Sequence, residues 1–223
     1  MDPNHKLWNS IHQQLTRALR AGDRTTAITL FLHEHAMLHT AGMSKSGVWS
    51  FVDEALAGLT DDQIRTVPPG DEHSIAWILL HLARIEDITM NLLVAGKAQV
   101  FTPDGWGKKM NIPILHSANR MGAASLGALS REINVKALKA YRTAVGRRTQ
   151  GVVKKLWAED FKRPVDPTRL KRVLEEGAVS PEAMEIVNYW SRKTVAGLLL
   201  MPPTRHCVLH LNEAMRIRKK LLK

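Results

Sequence analysis

The run Ile75–Gly96, "IAWILLHLARIEDITMNLLVAG", decides how this chain folds. Ser74 or Asp71 can cap its start, Gly96 suits its C-terminal end, and the spacing predicts one helix between them. Trp77 and Ile85 lie one turn on either side of His81, and Ile78 and Ile88 flank the same stripe. A histidine on so apolar a face must find a hydrogen-bond partner or bind something. The longest apolar stretches, "IAWILLHLA" and "VAGLLLM", fall far short of a membrane span.

Working outward, further helical patterns appear on both sides. "TTAITLFLHEHAMLHTA" reads as a first helix closing at Gly42, and "VWSFVDEALAGL" places Val48, Phe51, Val52, Ala55, Leu56 and Leu59 at helical spacing. Pro68, Pro69 and Gly70 mark the connection "TDDQIRTVPPGDEHS". The stretch from about Lys97 to Ser130 holds two prolines and four glycines within "FTPDGWGKKMNIPILHSANRMGAASLGALS" and reads as a long functional loop. A helix capped by Ser130 follows, then a charged connection over Asp160–Gly177. Two last helices are opened by Ser180-Pro181 and by Pro202-Pro203-Thr204. Five or six amphipathic helices, with no repeat and no low-complexity segment, indicate an all-α bundle with crossover connections.

Composition agrees. The chain has 223 residues, 44% of them hydrophobic, so it can bury a substantial core. Cys207 stands alone, which excludes an internal disulfide and fits a reducing, cytoplasmic compartment; no secretory signal opens the sequence. A net charge of +11 raises nucleic acid as a partner. The basic residues are dispersed through "GRR", "FKR", "RLKR" and "RIRKKLLK", however, and no recognised nucleic-acid signature accompanies them. Nucleic acid is therefore disfavoured against solvated basic helix faces. A homodimer is open to any such bundle, and no face is marked for it.

Two histidine pairs share an i, i+4 spacing, His206/His210 in "RHCVLH" and His35/His39 in "FLHEHAMLH". That spacing gives a metal ion two nitrogens from one helix face, and its occurring twice shows that spacing cannot decide alone. With His81 from another helix, composition and spacing permit a three-histidine site without establishing it. Cys207 points away from the face of its two neighbours and reads as a small packing residue.

"SIAWILLHLARIED", "GKAQVFTPDGW" and "RHCVLHLNEAMRIRKKL" together resemble the DinB-like family of metal-binding helical bundles. The resemblance runs from "LHTAGMSKSGVWSFVDEALAGL" to the C-terminus. It sets an N-terminal helical extension, 1–40, before a bundle domain, 41–223. It implies a four-helix core with long crossovers and additional helices. It also implies His81, His206 and His210 around one divalent cation, zinc or nickel. Many relatives continue the last motif as His-x-Gly-Gln, where this chain has His210-Leu211-Asn212-Glu213, which alters the pocket more than the ligands. The N-terminal His33, Glu34, His35 and His39 have no family role.

Three neutral imidazoles leave a cation with an open position, the arrangement of a catalytic rather than a structural site. The family implies either transfer of a low-molecular-weight thiol to a small-molecule substrate or metal-dependent hydrolysis; a non-catalytic stress-response binding module is the third reading. The basic balance suits an anionic thiol. Glu213, three residues past His210, is placed to hold that imidazole's N–H. Trp77 is a candidate for the pocket wall. Trp106 in "DGWGKK" is a lid candidate, or packs the loop. Arg84 and Arg205 are either carboxylate binders or surface charges.

Overall fold

The computed structural model describes residues 2–70 and 73–223; the alternative cap at Asp71 lies outside them. The fold is all-α, and no strand occurs among the described residues, where Pro164 and Thr194 form an isolated bridge. Eight helices carry the architecture: α1 (Pro3–Ala21), α2 (Arg24–Met37), α3 (Ile75–Asp87), α4 (Ala123–Glu132), α5 (Val135–Val153), α6 (Pro167–Glu175), α7 (Met184–Ser191) and α8 (His206–Leu221). The core of four is α2, α3, α5 and α8. Long crossovers join α3 to α5 and α5 to α8.

α3 is the axis. Ser74 caps it by accepting from the Trp77 amide, and every residue from Ile75 to Val94 is buried. From Ile88 to Val94 the rod continues as a π-helix. The Thr89 hydroxyl donates to the Ile85 carbonyl at 2.7 Å, the kind of side-chain competition that loosens an α-helical ladder. Gly96 then ends it at φ +63°, where a left-handed residue lets the Lys97 amide reach back to the Asn91 carbonyl at 2.8 Å.

The first half of this rod packs with Trp8, Phe51, Leu138 and Leu211, and the second half with Phe31, Phe161, Trp190 and Leu198. α1 and α2 supply both clusters, Ile11 and Met37 to one and Leu15 and Phe31 to the other. The N-terminal hairpin is thus a structural part of the core.

Several sequence expectations are corrected. α1 precedes the expected first helix; Asp2 caps it by accepting from the Asn4 and His5 amides, with Pro3 at its first position. The helix expected over Val48–Leu59 is shorter, Phe51–Leu56, and a separate turn over Asp61–Arg65 carries a Thr60/Gln63 capping box. The expected loop contains a turn of helix at Trp106–Met110 and the whole of α4. Ser130 lies inside α4, its hydroxyl 2.8 Å from that of Ser74, and the true cap of α5 is Asn134. The charged connection contains α6, opened by Asp166 and Pro167. Ser180-Pro181 starts a 3-10 turn ahead of α7. Pro202 and Pro203, which have no N–H to give, sit in a π-helical turn over Met201–Arg205 that leads into α8.

Candidate metal centre

The end of that π turn sets His206 and His210 on the face of α8 that meets α3, and His81 meets them from α3. One ring nitrogen from each of the three lies within 4.8 Å of the others. His81 Nε2 and His206 Nε2 are 3.2 Å apart. Nitrogens bound at 2.0–2.1 Å to one tetrahedral ion stand about 3.3 Å apart, so this separation suits a shared cation.

The far side of each ring decides which nitrogen is available. His81 Nδ1 is 2.8 Å from the Ser117 carbonyl, which can only accept, so the proton is on Nδ1 and Nε2 carries a lone pair. His210 Nδ1 is 3.0 Å from Glu213 Oε2. Burial works against ionising Glu213, but hydrogen bonds from His210 and His73 outweigh it and bring its pKa down to about 2. The carboxylate therefore accepts and places a proton on His210 Nδ1, so that the neutral ring has its lone pair on Nε2. Glu213 Oε1 takes a second bond, from His73 Nδ1 at 2.7 Å. His206 Nδ1 is buried without a partner among the described residues.

Burial keeps the His81 and His206 rings neutral. Burial, followed by the neighbouring His210, lowers His81 to about 3, and burial with His81 and His210 holds His206 well below the usual histidine value. Neutral imidazole is the ligating form. Trp77 lies flat between His73 and His81, with centroids 3.7 Å and 4.8 Å away, and its indole N–H donates to the Ala118 carbonyl at 3.2 Å. It fixes the plane of the His81 ring.

A cavity of about 210 Å³ reaches His206. Its walls are largely apolar, from Ile85, Ile186, Trp190, Met201 and Pro202, with Asn119, Glu185 and Tyr189 adding polar atoms. Among the described residues no lysine or arginine lines it. The basic balance of the chain is not expressed at this opening.

Other expected residues fall elsewhere. Arg84 is fully buried, donating to the Tyr141 hydroxyl and the Leu115 carbonyl with its guanidinium 4.0 Å over the Phe101 ring, so it ties down the crossover and is no surface charge. Trp106 packs against Tyr141 at 5.6 Å and under Lys109 at 4.6 Å, placing the loop against the bundle. Arg205 is exposed and donates to Asn9. Cys207 is buried against the Pro202 carbonyl, and burial pushes its thiol up to about 12.

Sequence reasoning missed a second convergence. His35 from α2 and His39 just beyond its end meet Glu86 from α3, with Nε2 to carboxylate distances of 2.8 Å and 3.0 Å, and all three side chains are buried. Here the pattern of the first site is reversed. The converging nitrogens already donate to a carboxylate, while both Nδ1 atoms are buried without a partner among the described residues. A ligand imidazole is anchored through its far nitrogen and left bare at the near one. This cluster has the geometry of a hydrogen-bonded pin between α2 and α3. His33 is exposed, and Glu34 pairs with His12 at 3.3 Å. His73 has no distinguishing neighbours in the sequence, and Glu86, five residues past His81, does not share its helix face.

A search among curated proteins returns no similar sequence. The family model of the DinB superfamily matches residues 46–213, more than half of the chain. The matched segment begins ahead of the Phe51–Leu56 turn, takes in all three converging imidazoles and closes on Glu213, the carboxylate that orients one of them. With its helical architecture and histidine order both in place, this chain belongs to the DinB superfamily.

Proposed function

We propose that His81, His206 and His210 hold one divalent cation with an open position, zinc or nickel, in an enzyme that transfers a low-molecular-weight thiol to a small molecule. The observation that carries the reading is the tautomer set by the surroundings. Ser117 and Glu213 take the Nδ1 protons of His81 and His210, leaving two bare nitrogens turned toward a third ring. A divalent cation supplies charge that lowers the pKa of a bound water or thiol toward neutrality.

The residues around the site favour a thiol over water as nucleophile. Glu213 is engaged by two histidines, Glu86 by two others, and Glu185 by Arg120 at 2.8 Å. No carboxylate among these is left to act as a general base. A thiol, with a reference pKa of about 8.5, needs far less help than water at about 15.7. The chain's own contribution is to orient the ligands through Ser117 and Glu213, and to offer an apolar cavity that limits water at His206. The lining favours an uncharged or weakly polar acceptor.

The test is metal analysis of protein purified without a histidine tag, beside His81→Ala and His206→Ala. Close to one zinc or nickel per chain is expected, lost in both variants. Turnover of a thiol with an electrophilic acceptor should stop when the metal is stripped. Metal content unchanged by His81→Ala would defeat the assignment.

A further inference from the structure

At the other end of α3, roughly 20 Å along the helix axis from His81, lies a second concave surface of different character. A cleft of about 450 Å³ is lined by Lys97, Arg147, Arg148, Lys155, Arg163 and Arg169, with no aspartate or glutamate among the described residues of its wall. Two of these six have carboxylate partners, Arg163 with Asp160 at 3.2 Å and Arg169 with Asp166 at 3.9 Å. They also cap the end of the π-helix by donating to the Leu93 and Val94 carbonyls. Among the described residues Arg147 donates only to the neutral Met43 and Gly42 carbonyls, and no carboxylate there compensates its charge. Lys97, Arg148 and Lys155 are exposed, and their side chains make no ion pair or hydrogen bond among the described residues.

Four unneutralised cations thus face one cleft, held apart by α5 and the end of the α3 rod. Like charges gathered this way repel one another, and an anion seated among them relieves that repulsion. Phosphate suits the donors. Guanidinium forks grip its oxygens in pairs, and lysine serves as a mobile point charge. The volume lies within the usual range of small-molecule sites, and Val94, Val152 and Leu156 give the cleft an apolar portion. That combination fits a ligand with a phosphate-rich end and an organic body better than an extended polyanion.

We propose that this cleft binds a small molecule bearing two or more phosphate groups, of pyrophosphate to nucleotide size. The site is separate from the histidine centre and does not depend on what that centre does.

The experiment is calorimetric titration of the full chain, at low ionic strength and free of added metal, with sodium pyrophosphate and with ATP. Saturable binding is expected, weakened at least about tenfold in an Arg148→Glu/Lys155→Glu double variant whose circular dichroism is unchanged. His81→Ala should bind as the wild type does, which separates this cleft from anion capture at the histidines. Failure to saturate, undiminished binding by the double variant, or loss of binding in His81→Ala would each overturn the proposal. So would a random-sequence oligonucleotide that binds more tightly than ATP, since the face would then serve an extended nucleic acid.

Discussion

Glu213 accepts from His73 with one oxygen and from His210 with the other, and this double acceptance cannot be copied by an amide. In Glu213→Gln one partner must face an N–H donor. If His210 is that partner, its proton moves to Nε2 and blocks the nitrogen turned toward His81 and His206. The variant should keep its helical spectrum and bind zinc about 10- to 100-fold more weakly in competition with a chelator. Equal affinity would mean that Glu213 does not set the tautomer. Part of this arrangement was readable from one helix: His206, His210 and Glu213 share a face of α8 by spacing alone. His73 was not, because it meets Glu213 only through the packing of α3 against α8. Spacing also failed to separate His35/His39 from His206/His210. What separates them is which nitrogen the surroundings occupy, and that is a property of the assembled fold.

The same dependence on neighbours governs two glycines of α5. A Cβ built on Gly146 would stand 2.7 Å from the His39 ring, whereas one on Gly151 meets nothing within 4 Å. Helix propensity alone favours alanine at either position by up to about 1 kcal/mol. Gly151→Ala should therefore stabilise by roughly 0.5–1 kcal/mol. Gly146→Ala must displace a buried ring hydrogen-bonded to Glu86, and should destabilise by a net 1–3 kcal/mol or so despite its better propensity. Urea melts of the two variants check this, and a Gly146→Ala protein as stable as Gly151→Ala would show that α2 can give way. Elements were legible where apolar residues kept a helical period, as in α3 and α5. α6 escaped notice because only Leu170 and Val173 of its residues are buried, although Asp166-Pro167 is a strong start signal. α4 follows Gly122, which has no side chain to cap it and announce it.

Across the whole molecule, burial of histidine makes stability depend on pH in a definite direction. His39 is held neutral down to about 4, by burial first, with Glu86 opposing and His35 and Arg142 adding to the effect; His81 is lowered to about 3. In the unfolded chain each takes a proton near 6.5. Between those values the unfolded state binds more protons than the folded one, so stability falls as pH drops below about 6.5. Glu86 and Glu213, both lowered, act in the same sense below 4.5. His39 alone accounts for a loss of roughly 3 kcal/mol by pH 4, a large share of a typical domain's stability. Neither the burial nor the partners of His39 could be read from "FLHEHAMLH", since both come from Glu86 on α3 and from Gly146 on α5. Urea midpoints of chelator-treated protein should hold steady from pH 8 to 7 and decline steadily from 6.5 to 4.5. His39→Gln should lower the midpoint at neutral pH and make the decline shallower, because one of the groups that must take up a proton is gone. A midpoint that stays flat down to pH 5 would mean that the folded interior accepts these protons, and that the pin between α2 and α3 is charged rather than neutral.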